Sequence, residues 1–133
     1  MPKFSDTSTQ KLDTVHRDLR VLFNYVIARR DCTVVSGLRT REEQAALYAK
    51  GRTEPGEIVT YADGVEKLSR HQQGTAVDVV PYPELYADKE ALIAFGNYVK
   101  GVADALYGAG SISNRITWGG DWNMKDYPHF EIK

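Results

Sequence analysis

Apolar residues recur at steps of three and four along residues 8–29, at Leu12, Val15, Leu19, Leu22 and Val26, with Ile27 closing the stripe. That is the period of one helical face, and it predicts an amphipathic helix over 8–29. A second stripe, Leu92, Phe95, Val99, Val102 and Leu106, predicts a helix over 89–107, with Asp88 as its cap and Gly108 and Gly110 at its end. Thr40-Arg41-Glu42-Glu43 has capping-box spacing and opens a third helix through Ala45, Ala46, Leu47 and Tyr48, with Gly51 as the stop. The β-rich runs are 32–36, ended by Gly37; 77–82, stopped by Pro81 and Pro83; and 115–118 and 129–132, separated by Gly119-Gly120. Residues 51–68 show no period and contain Pro55, Gly56 and Gly64. They predict a long loop, with a short strand at 58–61. The order of elements, with the late strands close together, predicts an α+β fold: one small domain over 1–133 with a central antiparallel β-sheet and helices packed on one face.

Composition narrows the class. A chain of 133 residues with 42% hydrophobic and 26% charged residues suits an ordinary globule that buries a core without disulfides. The net charge of −1 and the scattered Lys and Arg argue against a nucleic-acid partner. The densest basic pair, Arg29-Arg30, sits at a helix end, where it complements the helix dipole. The first residues are polar and lack an apolar signal core, and no run is long enough to span a bilayer. The expectation is therefore a monomer made in the cytoplasm, with no membrane partner. The one cysteine, Cys32, heads an apolar run and is expected to be a buried strand residue, not a catalytic thiol. His16 falls off the first stripe and is expected to be solvated.

The other two histidines sit in unusual contexts. In Ser69-Arg70-His71-Gln72-Gln73-Gly74-Thr75-Ala76-Val77-Asp78, Gly74 permits a tight turn before a strand. Val77, Val79 and Val80 would bury that strand, leaving the Asp78 carboxylate near the core, where an unpaired charge is costly. A cation beside it would remove that cost, and His71 can fold back to the same point. In Asp126-Tyr127-Pro128-His129-Phe130-Glu131-Ile132, His129 and Glu131 share one strand face, and Asp126 can point at the same site without being a ligand. Two imidazoles and a carboxylate suit zinc with a fourth position left for water. Asp126 suits a proton-accepting role beside such a water, and Arg39 suits stabilisation of a developing oxyanion. Because zinc needs neutral imidazoles, binding is expected to weaken below about pH 6. Trp118, Trp122 and Tyr127 read equally well as a substrate-cleft lining or as core aromatics. Asp126 has a competitor in Asp121, whose Gly-Gly-Asp-Trp context suggests a structural turn with a side-chain hydrogen bond.

Ser69-x-His71-x-x-Gly74-x-Ala76-x-Asp78 resembles the S-x-H-x-x-G-x-A-x-D signature of the LAS peptidases at all six fixed positions. That group includes D-alanyl-D-alanine carboxypeptidases and dipeptidases, phage L-alanyl–D-glutamate endopeptidases and the hedgehog signalling domain. Asp126-x-x-His129 resembles its base-x-x-His motif, and Ser36-Gly37-Leu38-Arg39-Thr40 resembles the segment carrying its substrate-side arginine. Trp118-Gly119-Gly120-Asp121-Trp122 is common in its bacterial and phage members. The resemblance covers roughly residues 32–133, leaving the first helix outside it.

The resemblance implies a LAS/hedgehog-like fold and zinc held by His71, Asp78 and His129. It implies Asp126 as general base, Arg39 as oxyanion and substrate contact, and Ser69 as a residue that positions the substrate or the ligand loop. Many carboxypeptidase members have Glu as the base. Asp is familiar in the phage endopeptidase branch, so the expected function is an endolysin acting on the peptidoglycan stem peptide, held in the host cytoplasm until release to the wall. Small size, the absence of a signal and the absence of a wall-binding module fit that expectation. A D-alanyl-D-alanine carboxypeptidase or dipeptidase is the alternative. A non-catalytic zinc-stabilised binding module, which would need neither Asp126 nor Arg39, ranks below it.

Overall fold

The computed structural model describes residues 2–133. The elements run α1 (Asp6–Leu12), α2 (Arg17–Ile27), β1 (Cys32–Ser36), α3 (Arg41–Ala49), β2 (Ala76–Pro81), α4 (Lys89–Gly108), β3 (Ile116–Trp118) and β4 (His129–Ile132). Short 3-10 turns occupy Arg70–Gln73 and Gly119–Asp121. The four strands form one antiparallel sheet, as the sequence predicts, and their order is β1-β2-β4-β3. No helix among the described residues is long and apolar enough to cross a membrane.

Side-chain alternation divides the sheet between two environments. Val77 and Val79 of β2 and Phe130 and Ile132 of β4 join the core with Leu19, Leu22, Phe23 and Val26 of α2 and Phe95 and Val99 of α4. The Phe130 ring meets Phe23 edge-on at 5.3 Å and Phe95 at 6.3 Å. Each fully buried side chain of this size favours the folded state by about 1.5–3 kcal/mol, which is why both stripes become helices here. The residues between them, Asp78, His129 and Glu131, face a cleft. Cys32 is buried as expected, and burial pushes its thiol pKa up to about 12.

The helix predicted over 8–29 is two helices. Every residue of its stripe is buried, but the backbone breaks between Leu12 and Arg17. Hydrogen bonds to the cleft side replace the lost helical ones. Thr14 Oγ1 donates to the Lys11 carbonyl (2.6 Å) and accepts from Leu38 N–H (2.9 Å), and His16 N–H donates to the Gly74 carbonyl (2.8 Å). His16 is exposed, as expected, but its Nδ1 also caps α2 by accepting from Asp18 N–H at 2.9 Å. The strand predicted at 58–61 does not form. These residues carry no ladder and are held by side chains instead: Arg52 donates to the carbonyls of Tyr48 and Thr60, and its guanidinium stacks 3.7 Å from the Tyr48 ring centroid.

Asp18 escapes any periodicity argument. Its Oδ2 accepts from the backbone N–H of Ser113 and Asn114 and from Asn114 Nδ2, each at 2.9 Å, pinning the turn before β3 to α2. Burial alone would raise its pKa, but these donors outweigh burial and hold it below the usual carboxylate value. A depressed folded-state pKa gives stability that is present above the unfolded value of about 3.9 and lost as pH falls through the folded one. Asp18→Ala should therefore lower the unfolding free energy at pH 7 by about 2–3 kcal/mol. Urea melts at pH 7 and pH 3 should show that deficit shrinking at pH 3; an equal deficit at both would remove the charge from the explanation.

Candidate metal centre

The register of the sheet builds half of the centre. Asp78 lies directly opposite Ser36 on β1 and His129 on β4, so these three residues form one row across three strands. His71 comes from the turn before β2. Ser69 caps that turn, its Oγ accepting from His71 N–H at 3.1 Å and its own N–H donating to Gln72 Oε1. Gly74 closes the turn at φ 73°, a left-handed conformation in which a side chain would be strained. Ser69 thus positions the ligand loop, and it also lines the cleft.

His71 Nε2 stands 3.2 Å and His129 Nδ1 3.3 Å from Asp78 Oδ1. The three ligand atoms lie within 4.8 Å of one another. Neither ring N–H is aimed at Oδ1, which is buried without a hydrogen-bond partner. Such an atom is expensive unless a cation meets it. The 3.2 and 3.3 Å separations match the edge of a tetrahedron whose metal–ligand bonds are about 2.0–2.1 Å. The donor set therefore fits a divalent metal ion.

The outer nitrogens fix which ring atom faces the centre. His71 Nδ1 is 3.0 Å from the Gly37 carbonyl, to which it donates when Nε2 is left free to ligate. Gly37 reaches that position because it has no side chain: a Cβ there would overlap the Lys11 carbonyl oxygen and come within 2.6 Å of Thr14 Oγ1. His129 Nε2 is 2.7 Å from Glu131 Oε1, leaving Nδ1 for the metal. The strand period places Glu131 on the face of His129, so its proximity was readable, although the sequence reading gave it no role.

Burial opposes charge on Asp78, but the imidazoles of His129 and His71 outweigh it and hold the carboxyl well below its usual range. Burial likewise opposes charge on His129, and Asp78 and Glu131 outweigh it, raising its pKa to about 9 without metal. A proton on His129 competes with a metal ion for Nδ1, so the raised pKa favours a higher onset than an unperturbed imidazole would give.

Asp126 is half exposed at the cleft mouth, its Oδ2 3.9 Å from His129 Nδ1. Surrounding protein and then the Asp78 charge raise its pKa. Gly119 makes room for it, since a Cβ there would overlap the Asp126 carbonyl oxygen and lie 3.1 Å from His129 Cβ. Asp121 points elsewhere, to Lys100 Nζ at 2.7 Å. Arg39 Nη2 is 3.9 Å from Asp78 Oδ2, and Arg39 lines the same cleft. Burial lowers the Arg39 pKa and the nearby Asp78 opposes that shift.

The cleft holds about 770 Å³. Of Trp118, Trp122 and Tyr127, Trp122 alone lines it, its ring centroid 4.9 Å from that of His129. Trp118 and Tyr127, the candidate substrate contacts, lie outside the cleft lining. Trp118 is buried, its Nε1 donating to the Tyr127 carbonyl at 2.7 Å, and its ring occupies space that a Cβ on Gly96 or Gly120 would need. Tyr127 packs half-buried against the core.

A half-open cleft with a His-Asp-His triad, an adjacent carboxylate and a guanidinium defines a candidate metallohydrolase. The comparisons with known proteins narrow this. The family model described as D-alanyl-D-alanine carboxypeptidase, of peptidase family M15, matches residues 63–132, and the chain belongs to that family. Peptidoglycan L-alanyl-D-glutamate endopeptidase CwlK of Bacillus subtilis (strain 168) is 38% identical over 110 residues, covering 77% of this chain. The match spans 60% of that relative's length. The L-Ala D-Glu endopeptidase ChiX of Serratia marcescens shares the fold, with a TM-score of 0.72 at 24% identity over 98% of this chain and 90% of that one.

Two expectations follow for the centre. Removing the Glu131 partner by Glu131→Gln should weaken Zn²⁺ affinity about 10- to 100-fold in a chelator competition, whereas His71→Ala should abolish stoichiometric binding. Zn²⁺ binding at pH 7 should also release about one proton or more, from His129 and in part from a coordinated water. Calorimetry in buffers of different ionisation enthalpy measures that number, and a value near zero would contradict the charged metal-free state.

Proposed function

We propose that the protein is a zinc-dependent peptidoglycan peptidase that hydrolyses the L-alanyl–D-glutamate bond of the stem peptide. The observation that carries this reading is the unpartnered Asp78 Oδ1 between two ring nitrogens, in a cleft that also presents Asp126 and Arg39. Two nitrogens and one carboxylate oxygen favour zinc among common ions. Both relatives named above are called L-alanyl–D-glutamate endopeptidases, which favours that bond.

Zinc held there would supply a Lewis acid and would bring the pKa of a coordinated water near 7. Asp126 stands at the cleft mouth, where its carboxylate could take a proton from the attacking water and return it to the leaving amine. Arg39 offers guanidinium N–H groups to the charge that develops on the scissile carbonyl oxygen. Trp122 bounds the cleft beside His129. An aspartate at the base position is the feature that favours the endolysin branch, acting on the wall after release from a host cytoplasm.

The description of the matching family favours a second reading, release of terminal D-alanine. Product analysis separates the two. Digests of purified peptidoglycan should gain free amino groups on D-glutamate; loss of terminal D-alanine alone would select the carboxypeptidase. Asp126→Ala should keep one zinc per chain and lower kcat about 10²- to 10⁴-fold. Full activity in that variant would reassign the base.

A further inference from the structure

Among the buried polar side chains of the described residues, Ser8 receives the Val34 N–H, Asp18 holds the turn before β3, and the two histidines face Asp78. The remaining one is Gln44, which is fully buried. It is also the only side chain that α3 buries, so this helix docks through an amide and not through an apolar stripe.

Each polar atom of that amide has a partner. Oε1 accepts from Arg39 Nη1 at 2.8 Å, and Nε2 donates to the Ala62 carbonyl at 2.8 Å and to Thr60 Oγ1 at 3.2 Å. The orientation is unambiguous, because a guanidinium only donates and a carbonyl only accepts. Gly64, at φ 88°, packs against the same side chain, where its added Cβ would come within 3.2 Å of Gln44 Cβ and Cγ.

The two partners belong to different walls of the cleft. Arg39 reaches toward the metal centre, its Nη2 also meeting Ser36 Oγ at 3.3 Å. Residues 58–62 form the facing wall and present Ile58, Val59 and Tyr61 half-exposed. A neutral amide is suited to join them. It fixes Nη1 without neutralising the guanidinium, and it keeps Arg39 from closing onto the nearby opposite charge of Asp78. We propose that Gln44 is a positioning residue that sets the Arg39 guanidinium for the oxyanion and seats the 58–62 wall, so that the two move as one unit. This rests on the reading of Arg39 as the oxyanion contact.

The test pairs kinetics with two measurements that need no activity. Gln44→Met is close in volume and removes every hydrogen bond. It should keep one zinc per chain and lower kcat roughly tenfold on a synthetic L-alanyl–D-glutamate peptide, less than outright loss of an oxyanion donor costs. In an Arg39→Ala background the same substitution should change kcat less than about twofold, because the two residues act in series. Phenylglyoxal modification of Arg39, mapped by mass spectrometry, should be at least about fivefold faster in Gln44→Met, and amide exchange over 58–62 should rise. Gln44→Glu keeps an acceptor for Arg39 and loses both donors, so Arg39 should stay protected while 58–62 exchange rises. That split decides the matter even if Gln44→Met does not fold. Equal kcat losses with and without Arg39, or unchanged Arg39 reactivity in Gln44→Met and an unsplit Gln44→Glu, would overturn the inference. A wild-type protein that binds zinc but leaves the peptide uncut would instead sink the proposed substrate, while the reactivity and exchange data would still decide the role of Gln44.

Discussion

A carboxylate on an interior strand of a sheet is stable only if something positive meets it, and in this protein that carboxylate is Asp78. Its strand is flanked on both sides by other strands, and its side chain points into the floor of the cleft, where Oδ1 is buried without a hydrogen-bond partner. The surrounding structure answers that demand. β4 brings His129 into register opposite it, the capped turn brings His71 down from before the strand, and Arg39 approaches from beyond β1. Each imidazole is then held from behind, by the Gly37 carbonyl and by Glu131. The break between α1 and α2 belongs to the same arrangement, because the groups it frees bind Leu38 N–H and the Gly74 carbonyl, on either side of His71.

The cleft has two walls of different character. The sheet side is tied into the hydrophobic core, and its ligands sit on paired strands or on a turn that leads into one. The opposite side, residues 58–62, has no ladder and few apolar anchors, and is held by Arg52, Gln44 and their hydrogen bonds. Metal binding draws on the rigid wall. Substrate recognition must draw on both, and Arg39 is the group that touches each.

Much of this was legible in the sequence because two periods carry it. The 3.6-residue stripe gave α2 and α4, and the alternation of β2 and β4 placed Asp78, His129 and Glu131 on one face. The metal ligands stood out because their spacing matches a known signature. What was not legible depends on contacts between segments distant in the chain. The stripe over 8–29 is intact through Val15 and Leu19, so nothing periodic marks the helix break; tertiary hydrogen bonds make it. Trp118 was open to either reading, and Gly96, whose place beneath its ring is set by α4 packing, decides for the core. Gln44 sits in a helix with a weak stripe, and its importance shows only once Arg39 and Ala62 come to either side of it.

Whether His71, Asp78 and His129 hold one zinc ion with a position left for water is decided by X-ray absorption at the zinc edge of the protein loaded with one equivalent. Such a site gives a first shell of about four nitrogen and oxygen ligands near 2.0–2.1 Å, outer-shell scattering from two imidazoles and no sulfur, with one imidazole lost in His129→Ala. A zinc environment with fewer than two imidazoles, or one unchanged by that substitution, would contradict it.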